Sequence, residues 1–415
     1  MTTPTAVLER LSRTTDQIIG EQDLLSRLRS GRSLRIKFGV DCTAPDLHLG
    51  HAVNLWMMRQ LQELGHTVVF LLGDTTTRIG DPSGRNTTRP TLTPEQIDTN
   101  AAAFLDQVSL VLRTDPEVLE IRRNSEWFDQ LPLTDLLAEL SHVSVAQLMG
   151  RDMFSERTAL GLPVAAHELI YPVLQGFDSV QLESDLTIVG TDQLFNEAMG
   201  RQIQARHGQQ PQTVITSVIT PGLDGGAKQS KSLNNYVGLT DPPEEKFGRL
   251  MTLRDDLIAI WGRVYTDRPI PEVEEWATLA ERGGGAARDA KLALAEAIVA
   301  RHHGTDAARR ARQEFVAVFS GRELPDDLPV LEAAASVSLW DLAASARDDL
   351  SRTAVRRLIT DGAVRLDEVA ERDPFRTVEI RDNTVLQVGR RKWFRLRRRP
   401  GGPCGAPAGR RADGA

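Results

Sequence analysis

Residues 34–51 read LRIKFGVDCTAPDLHLGH, and this stretch decides the fold. Its beginning, LRIKFGVD, has the apolar content of a short strand, and apolar residues at helical spacing follow from about Gly50. The continuous apolar run TVVFLLGD then occupies residues 67–74. A strand, a helix and a strand at this spacing form a βαβ unit, which implies a parallel sheet with helices on its faces. The sequence therefore predicts an α/β fold.

The middle of the chain predicts helices and one further strand. LTPEQI (92–97) is a helix start, and helical patterns continue to about residue 150. DLTIVG (185–190) is a strand signal, and a helix opens near Asp192. PGLDGGAKQSKSLNNY (221–236) has no apolar period, which predicts a mobile surface loop.

The composition is that of a globular protein. The chain has 415 residues, of which 40% are hydrophobic and 26% charged, and this length suggests two or three domains. Its two cysteines, Cys42 and Cys404, argue against a disulfide framework and fit a reducing compartment. We find no signal-peptide core and no apolar run of membrane-spanning length. We therefore expect a cytoplasmic protein without a membrane segment.

Charge is distributed unevenly along the chain. The net charge of −7 argues against nucleic-acid binding over the whole surface, yet ten basic residues and one acid lie between Arg381 and Arg411. A basic end on an acidic body predicts one localised contact with a polyanion. The alternative is a solvated, disordered tail over residues 397–415.

Two histidines, His48 and His51, flank Gly50 where the strand gives way to the helix. A helix N-terminus favours anions because its free N–H groups and its dipole attract negative charge. Both imidazoles fall on one helical face and can donate hydrogen bonds to phosphate oxygens as charge builds in a transition state. The alternative is that they are helix caps or surface residues. No third ligand lies nearby in sequence, so we predict no metal site.

A second string, KQSKS (228–232), lies far downstream. Ammonium groups on a mobile loop, here Lys228 and Lys231, can neutralise charge on a departing pyrophosphate. Alone, such a string is usually a solvated turn. The order of the two motifs along the chain is what makes them specific.

With these motifs the chain resembles the class I aminoacyl-tRNA synthetases, and within them the bacterial tyrosyl-tRNA synthetase family. Residues 48–51 look like the family's HIGH motif, and residues 228–232 look like KMSKS. The resemblance spans about residues 30–396. Five further strings stand in the family's order: GDPSGR (80–85), NSEW (124–127), YPVLQGFDS (171–179), GTDQLFN (190–196) and GLDG (222–225).

The resemblance implies a Rossmann-like catalytic domain that activates tyrosine with ATP and transfers it to tRNA(Tyr). ATP would be a substrate accompanied by Mg²⁺, with no tightly bound cofactor. The attacking carboxylate is already ionised, so catalysis consists of positioning and charge stabilisation. The implied catalytic residues are His48, His51, Lys228 and Lys231. The implied ATP-binding residues are Gly39, Asp41, His48, Gly50, His51, Asp192 and Lys231.

The implied tyrosine site consists of Asp81, Tyr171, Gln175, Asp178 and Gln193. Tyr171, Gln175 and Asp178 fall at i, i+4 and i+7, which places them on one helical face. In the family, the Asp178 position accepts a hydrogen bond from the phenol hydroxyl. The Asp81 position meets the α-amino group together with Tyr171 and Gln175. The alternative is that Tyr171 and Gln175 only line a core helix.

Four positions vary from the family's commonest pattern. Cys42 stands in place of a proline, Gln229 in place of the methionine of KMSKS, and Phe177 where tyrosine is common. Lys37 stands where one branch of the family has a phenol-binding tyrosine, which the other branch lacks. These differences bear on amino-acid specificity more than on the reaction class.

We expect four segments along the chain. The catalytic domain covers residues 1–235, with an insertion at about 120–165 through which the family forms homodimers. A helical domain that helps to bind the anticodon arm covers residues 236–328. Residues 336–396 resemble a small α+β S4 RNA-binding domain, and a basic, disordered tail covers 397–415.

The S4-like segment carries the predicted RNA contacts. The string SRTAVRRLITDGAVRLDE places Arg352, Arg356 and Arg357 on one helix, followed by a turn at Gly362. Arginines at this spacing can follow RNA phosphates while the shape of the fold provides the register. The alternative is an amphipathic helix with an arginine-rich outer face.

Two other functions remain open from the sequence alone. One is a different nucleotidyl transferase, because H-x-G-H also occurs in small adenylyltransferases, which need no S4-like tail. The other is a synthetase paralogue with a non-catalytic RNA-binding or regulatory role. The presence of both histidines and both lysines argues against the second alternative.

Overall fold

The computed structural model describes residues 3–43, 47–81, 92–231, 233–320, 328–347, 349–367, 369–389 and 392–399. The chain divides into two compact units, Met1–Phe315 and Val316–Ala415. Within the described ranges, no helix is long and apolar enough to cross a membrane.

The first unit is built on a six-stranded sheet in the order β1-β6-β5-β2-β3-β4. All neighbours pair in parallel except β1, which runs antiparallel to β6 at one edge. The predicted α/β fold with a parallel sheet is confirmed. The strands are β1 Thr15–Ile19, β2 Arg35–Val40, β3 Thr67–Leu72, β4 Leu119–Arg123, β5 Leu186–Gly190 and β6 Thr213–Ser217.

Helices connect and flank these strands. The predicted βαβ unit is present, and α5 begins as its sequence indicates, with the Thr93 hydroxyl accepting from the N–H of Gln96 at 3.3 Å. The helices of this part are α1 Pro4–Ser12, α2 Glu21–Arg29, α3 Leu49–Glu63, α4 Asp74–Ile79, α5 Pro94–Val108, α6 Ser125–Phe128, α7 Leu133–Leu140, α8 Val145–Met149, α9 Asp152–Ala159, α10 Ala166–Gln181 and α11 Leu194–Arg206.

One strand, β4, interrupts the region predicted to be helical up to about residue 150. It pairs with β3 at the edge of the sheet. Its sequence, LEIRR, contains no continuous apolar run, and Ile121 is 50% exposed. An edge strand covered on one side gives a weak sequence signal, and this is why the prediction missed it.

Two glycines allow α10 and α11 to pack closely. A Cβ atom on Gly176 would lie 3.0 Å from the backbone nitrogen of Gly200. Close packing at this point brings Asn196 and Glu197 of α11 into hydrogen-bonding distance of Gln175 on α10. The glycine pair therefore helps to position the helical face predicted to bind tyrosine.

Residues 243–320 are mostly helical, as predicted. Lys246, at the start of this region, is fully buried and donates to the carbonyl oxygen of Leu239 at 2.9 Å. This bond ties the helices to the segment that follows the KQSKS string. The helices are α12 Pro243–Leu250, α13 Ile258–Tyr265, α14 Ile270–Glu281, α15 Gly284–His303 and α16 Thr305–Ser320.

The second unit has a five-stranded sheet in the order β10-β9-β12-β13-β7 and a separate β11-β8 pair. Its helices are α17 Leu339–Ser345 and α18 Arg352–Thr360, and α18 lies in the string predicted to carry the arginines on one helix. Leu339, Val355, Ile359 and Leu386 belong to its own buried core. The strands are β7 Val330–Ala333, β8 Ser336–Ser338, β9 Val364–Leu366, β10 Val369–Glu371, β11 Thr377–Glu379, β12 Val385–Val388 and β13 Lys392–Arg398.

The basic segment that begins at residue 397 starts as a strand. Arg397 and Arg398 belong to β13 and pair with Glu332 and Ala333 of β7. The prediction of a disordered tail is therefore wrong for these two residues, because strand pairing continues past the buried Leu396. Residues 400–415 lie outside the described part of the chain.

Candidate active site

The side chains of His48 and His51 each accept a hydrogen bond from a backbone N–H at the N-terminus of α3. The Nδ1 atom of His48 accepts from the N–H of Gly50 at 3.2 Å, and the Nδ1 atom of His51 accepts from the N–H of His48 at 3.3 Å. Since both Nδ1 atoms accept, each neutral ring carries its proton on Nε2; this tautomer is assigned from the hydrogen-bond pattern. The capping that the sequence analysis gave as the alternative is present, and it leaves two Nε2–H donors for a ligand.

Gly50 is required by the packing of the His48 ring. A Cβ atom at position 50 would lie 2.9 Å from Cε1 and 3.0 Å from Nδ1 of His48. Any other residue would therefore displace the imidazole from the helix terminus. This contact explains the glycine between the two histidines.

Both imidazoles are uncharged near neutral pH. Burial, reinforced by His51 and the two KQSKS lysines, lowers the pKa of His48 to about 2. Desolvation, reinforced by Lys228 and Lys231, lowers the pKa of His51 to about 4. The histidines can therefore act as neutral hydrogen-bond donors and not as cations. Both lysines act on both rings, so the two motifs lie close to one another.

Backbone hydrogen bonds join the regions of the two motifs. The N–H of Leu49 donates to the carbonyl of Val237 at 2.9 Å, and the N–H of Leu239 donates to the carbonyl of Leu47 at 2.9 Å. Lys228 of the KQSKS string also forms an ion pair with Asp192, which follows β5: Lys228 Nζ lies 3.2 Å from Asp192 Oδ2. Ser232, the last residue of the KQSKS string, lies outside the described residues.

The KQSKS segment is irregular, as predicted, but it is anchored. The Gln229 side chain is buried, and its Nε2 atom donates to the Tyr265 hydroxyl at 2.7 Å. The N–H of Ser230 donates to Asn235 Oδ1 at 2.8 Å. The expectation of a mobile surface loop overlooked these bonds, because Gln229 pairs with a tyrosine that is distant in sequence.

Asp41 connects several of the predicted site residues. It follows β2 and accepts from the Thr76 hydroxyl at 2.9 Å, from the Tyr171 hydroxyl at 3.1 Å and from the Asp81 N–H at 3.3 Å. Gln193 Nε2 donates to Asp81 Oδ2 at 2.8 Å. Burial and the Asp41 carboxylate raise the pKa of Tyr171 well above its usual value, so its hydroxyl remains a donor. Residues 82–85 of the GDPSGR string lie outside the described residues.

Gln175 is held by a buried polar network that the sequence analysis missed. Its Nε2 atom donates to Glu197 at 2.8 Å, and its Oε1 atom accepts from Asn196 at 2.7 Å. Glu197 forms an ion pair at 2.7 Å with Lys37, and each side chain is 2% exposed. This network fixes which way the Gln175 amide faces. Asn196 ends the GTDQLFN string, but nothing in the sequence pairs Glu197 with Lys37.

Asp178 is buried, and two residues of the NSEW string are its hydrogen-bond partners. Trp127 Nε1 donates to Asp178 Oδ1 at 3.0 Å, and the Asn124 side chain is the second partner. Burial outweighs these bonds and the nearby Lys37, and it raises the pKa of Asp178 to about 8. The resemblance included the NSEW string, but only the fold reveals its contact with Asp178.

The remaining predicted ATP residues lie at the carboxyl ends of neighbouring parallel strands. Gly39 is in β2, and a Cβ there would meet only Leu71 Cδ2, at 3.8 Å. Asp192 lies directly after β5. Ligands of parallel α/β sheets commonly bind at this edge.

Arg151 is a further residue near the site that sequence reasoning missed. It precedes α9 within the predicted insertion, and its guanidinium lies 5.1 Å from the ring centre of Phe195. Burial lowers its pKa, and the negative charges of Asp81 and Asp192 act in the opposite direction. A cation from the insertion therefore lies near two of the predicted ligand-binding carboxylates.

No group of three or more metal-ligating side chains is present among the described residues. The predicted RNA contacts lie elsewhere, in the second unit. Arg352, Arg356 and Arg357 are all on α18 and all are exposed. The absence of a resident metal and the roles of these arginines stay predictions.

Comparison with known proteins agrees with the geometry. Residues 29–320 match the family described as tRNA synthetases class I (W and Y). The tyrosine–tRNA ligase of Thermotoga maritima is 42% identical over 95% of this chain and 98% of its own length. That of Shewanella oneidensis is 43% identical over 94% of this chain and 98% of its own length.

Two solved structures share the fold. The C-terminally truncated mitochondrial tyrosyl-tRNA synthetase of Aspergillus nidulans has a TM-score of 0.62 at 22% identity, covering 77% of this chain and 95% of its own. The L-tyrosine complex of the Archaeoglobus fulgidus tyrosyl-tRNA synthetase has a TM-score of 0.58 at 20% identity. The match covers 74% of this chain and 99% of its own.

The fold and the two motifs at the sheet edge define a class I aminoacyl-tRNA synthetase. Within that class, the chain belongs to the tyrosine–tRNA ligase family, since its relatives match nearly the whole length of both chains.

Proposed function

We propose that this protein activates L-tyrosine with ATP and transfers the tyrosyl group to the 3′ end of tRNA(Tyr). One observation carries the proposal: the buried Asp178 carboxyl shares a helix face with Tyr171 and Gln175, and Asp41 links that face to the sheet edge beside the histidines. A buried carboxyl that can meet a phenol hydroxyl therefore lies near donors and cations suited to ATP.

The first step is an in-line displacement at the α-phosphate. A carboxylate oxygen of tyrosine bonds to the α-phosphorus, and the bond from phosphorus to the bridging oxygen of pyrophosphate breaks. The Nε2–H groups of His48 and His51 would donate to phosphate oxygens, while Lys228 and Lys231 would neutralise the leaving group. Mg²⁺ would arrive bound to the ATP phosphates and supply further neutralising charge.

The tyrosine pocket supplies orientation and specificity. Asp81, Tyr171 and Gln175 would bind the α-amino group, and Asp178 the phenol. A site built to pair a substrate hydroxyl rejects the analogue that lacks it, because its own buried polar group is then left unpaired. Rejection of phenylalanine by this enzyme family is the standard example of that rule.

The deciding experiment is ATP–pyrophosphate exchange with each amino acid, followed by aminoacylation of total tRNA. We expect exchange with tyrosine and tyrosine attached to one tRNA acceptor. Folded protein without exchange for any amino acid would refute the enzymatic proposal. RNA binding without aminoacylation would instead indicate the non-catalytic paralogue.

Lys231→Ala tests the role of the KQSKS lysines. We expect the rate of adenylate formation to fall by roughly 100-fold or more, with tyrosine affinity nearly unchanged, because the cation acts on charge that develops at the leaving group. Pre-steady-state kinetics separates the two quantities. Lys291→Ala, on α15, is the control. Equal losses in rate and affinity would contradict a transition-state role.

We also propose that the protein is a cytoplasmic homodimer. Helix α7 has no buried residue in a single chain, and Leu133 and Leu137 on it are exposed at 69% and 55%. Val145 and Leu160 in the same region are exposed as well. Apolar side chains gathered in this way favour burial against a partner. The predicted use of the 120–165 insertion as the dimer interface accounts for them, and the cytoplasm holds the tRNA and ATP.

A further inference from the structure

The C-terminal unit carries a cluster of two aromatic rings and two arginines on its surface. The rings of Trp340 and Phe375 meet edge to face, with centroids 6.0 Å apart. The Arg352 guanidinium lies 5.0 Å from the Trp340 ring centre, and that of Arg356 lies 5.4 Å from the Phe375 ring centre. We call these four side chains the aromatic–arginine cluster. The chemistry of amino-acid activation does not use them.

Phe375 is held in an exposed position by its backbone. Its side chain is 62% exposed. The carbonyl oxygens on either side of it, of Pro374 and Arg376, accept from the N–H groups of Trp340 at 3.0 Å and Leu339 at 2.8 Å. These are donors that the first turn of α17 would otherwise leave free. The backbone of the turn is therefore fixed to a core helix, and this holds the Cα atom of Phe375 at the surface beside Trp340.

The charges around the rings are accessible to an anion. Arg352 pairs with Asp341, and Arg357 lies 3.7 Å from Asp361. Both pairs are exposed, and exposed pairs contribute little to stability, so a phosphate can replace the carboxylates at small cost. Arg356 adds a third exposed guanidinium on the same helix.

We infer that the aromatic–arginine cluster binds one unstacked nucleotide of the RNA substrate. Its base would stack on Phe375, and the arginines of α18 would contact the neighbouring phosphates. Aromatic rings and arginine planes bind splayed-out bases in this way, whereas paired bases of an A-form helix cannot reach a ring on a protein surface. The inference rests on the proposed function for the identity of the RNA, and it adds that a loop or single-stranded nucleotide occupies this surface.

Two substitutions separate stacking from charge. Phe375→Leu keeps an apolar side chain but removes the aromatic face, and we expect the tRNA affinity to fall roughly 10- to 100-fold with an unchanged salt dependence. Arg357→Gln should weaken binding and reduce the slope of log K against log salt by about 1. Val369→Ala, which alters another exposed apolar residue of this unit, should leave the affinity unchanged; Val369 is 63% exposed.

The measurement uses the full chain and fluorescence anisotropy with labelled tRNA at several salt concentrations. A single-stranded RNA 12-mer and a duplex of the same composition serve as competitors. We expect Phe375→Leu to weaken competition by the single strand and not by the duplex. Tyrosine-dependent pyrophosphate exchange, which requires no RNA, is measured on every sample.

The outcomes distinguish this inference from the proposed function. If wild-type protein shows no exchange, the proposed function fails. If exchange and tRNA charging are normal but Phe375→Leu binds tRNA as Val369→Ala does, the aromatic–arginine cluster is not a nucleotide site. Equal weakening of single strand and duplex would also overturn the inference, because it would indicate a contact with helical RNA. Circular dichroism of each variant excludes unfolding as the cause of lost affinity.

Discussion

His48 and His51 have a structural role beside the chemical one that we propose for them. Each imidazole satisfies a backbone N–H at the start of α3 through Nδ1 and leaves Nε2–H for a ligand. Because the pKa values of His48 and His51 are lowered to about 2 and about 4, both rings keep this tautomer at physiological pH. We therefore expect neither histidine to produce an inflection in the pH dependence of activation between about pH 6 and 8.

Gly50→Ala tests the packing of the histidines. The new Cβ would come within 3.0 Å of the His48 ring and displace it. We expect the rate of tyrosine-dependent exchange to fall about 100-fold, since one transition-state donor is lost. Gly285→Ala, at a helical position with no atom within 4 Å of the new Cβ, is the control. Exchange at the wild-type rate in Gly50→Ala would show that the ring position is unimportant.

Asp178→Asn tests whether the buried carboxyl lowers the stability of the folded protein while it contributes to tyrosine binding. The pKa of Asp178 is raised to about 8 in the folded protein, so the fold retains a proton that the unfolded chain releases. The contribution of Asp178 to the free energy of unfolding therefore decreases as the pH rises from about 4 to about 8, and it is constant above that range. We expect the variant to be more stable than wild type, by a margin that grows with pH, and to bind tyrosine more weakly.

Urea denaturation at pH 5, 6.5 and 8, followed by tryptophan fluorescence, measures this margin, which is the difference in the free energy of unfolding between the variant and wild type. Asp289→Asn, which alters an exposed residue of α15, is the control. A margin for Asp178→Asn that is equal at all three pH values would contradict the assignment of a raised pKa.

At the scale of elements, the KQSKS segment is tied to α13 through Gln229. Its amide donates to the hydroxyl of Tyr265, and burial raises the pKa of that hydroxyl well above its usual value, so the group stays protonated. The residue that departs from the family's usual methionine is thus the residue that anchors the segment. Backbone bonds of Leu47 and Leu49, on either side of His48, also join the start of α3 to Val237 and Leu239, which follow the KQSKS string.

Gln229→Met and Tyr265→Phe should both make the KQSKS segment more mobile, because each removes the hydrogen bond between Gln229 and Tyr265. We expect either change to raise tryptic cleavage after Lys228 and Lys231 roughly 2- to 10-fold, which corresponds to one lost hydrogen bond. The effect of the double variant should be smaller than the sum of the two single effects, because both changes remove the bond between Gln229 Nε2 and the Tyr265 hydroxyl. Gln313→Met, on the exposed side of α16, is the control. Additive effects in the double variant would contradict a shared anchor.

At the scale of the whole molecule, the exposed apolar residues of the insertion predict the oligomeric state. We expect wild-type protein to sediment as a dimer and the double variant Leu133→Asp, Leu137→Asp to sediment as a monomer, because two buried charges would oppose association. Ile270→Asp, at another exposed apolar residue, should remain dimeric. A monomeric wild type, or a double variant of unchanged mass, would contradict the proposed interface.

The sequence by itself determined the α/β class and the βαβ unit, and it located the two motifs that we propose to bind the phosphates of ATP. These features depend on local patterns: an apolar run for β3, capping residues for α5, and paired histidines around a glycine. It also placed Tyr171, Gln175 and Asp178 on one helix face, because helical periodicity fixes that relation whatever surrounds the helix.

Only the tertiary structure decided which residues support that face. The partners of Asp178 and Gln175, including Trp127 and Glu197, come from other elements, and no local pattern pairs residues separated by many positions. The edge strand β4 and the anchoring of Gln229 were missed for the same reason. Strand pairing and buried hydrogen bonds are long-range contacts, and a buried polar group finds its partner only after the chain has folded around it.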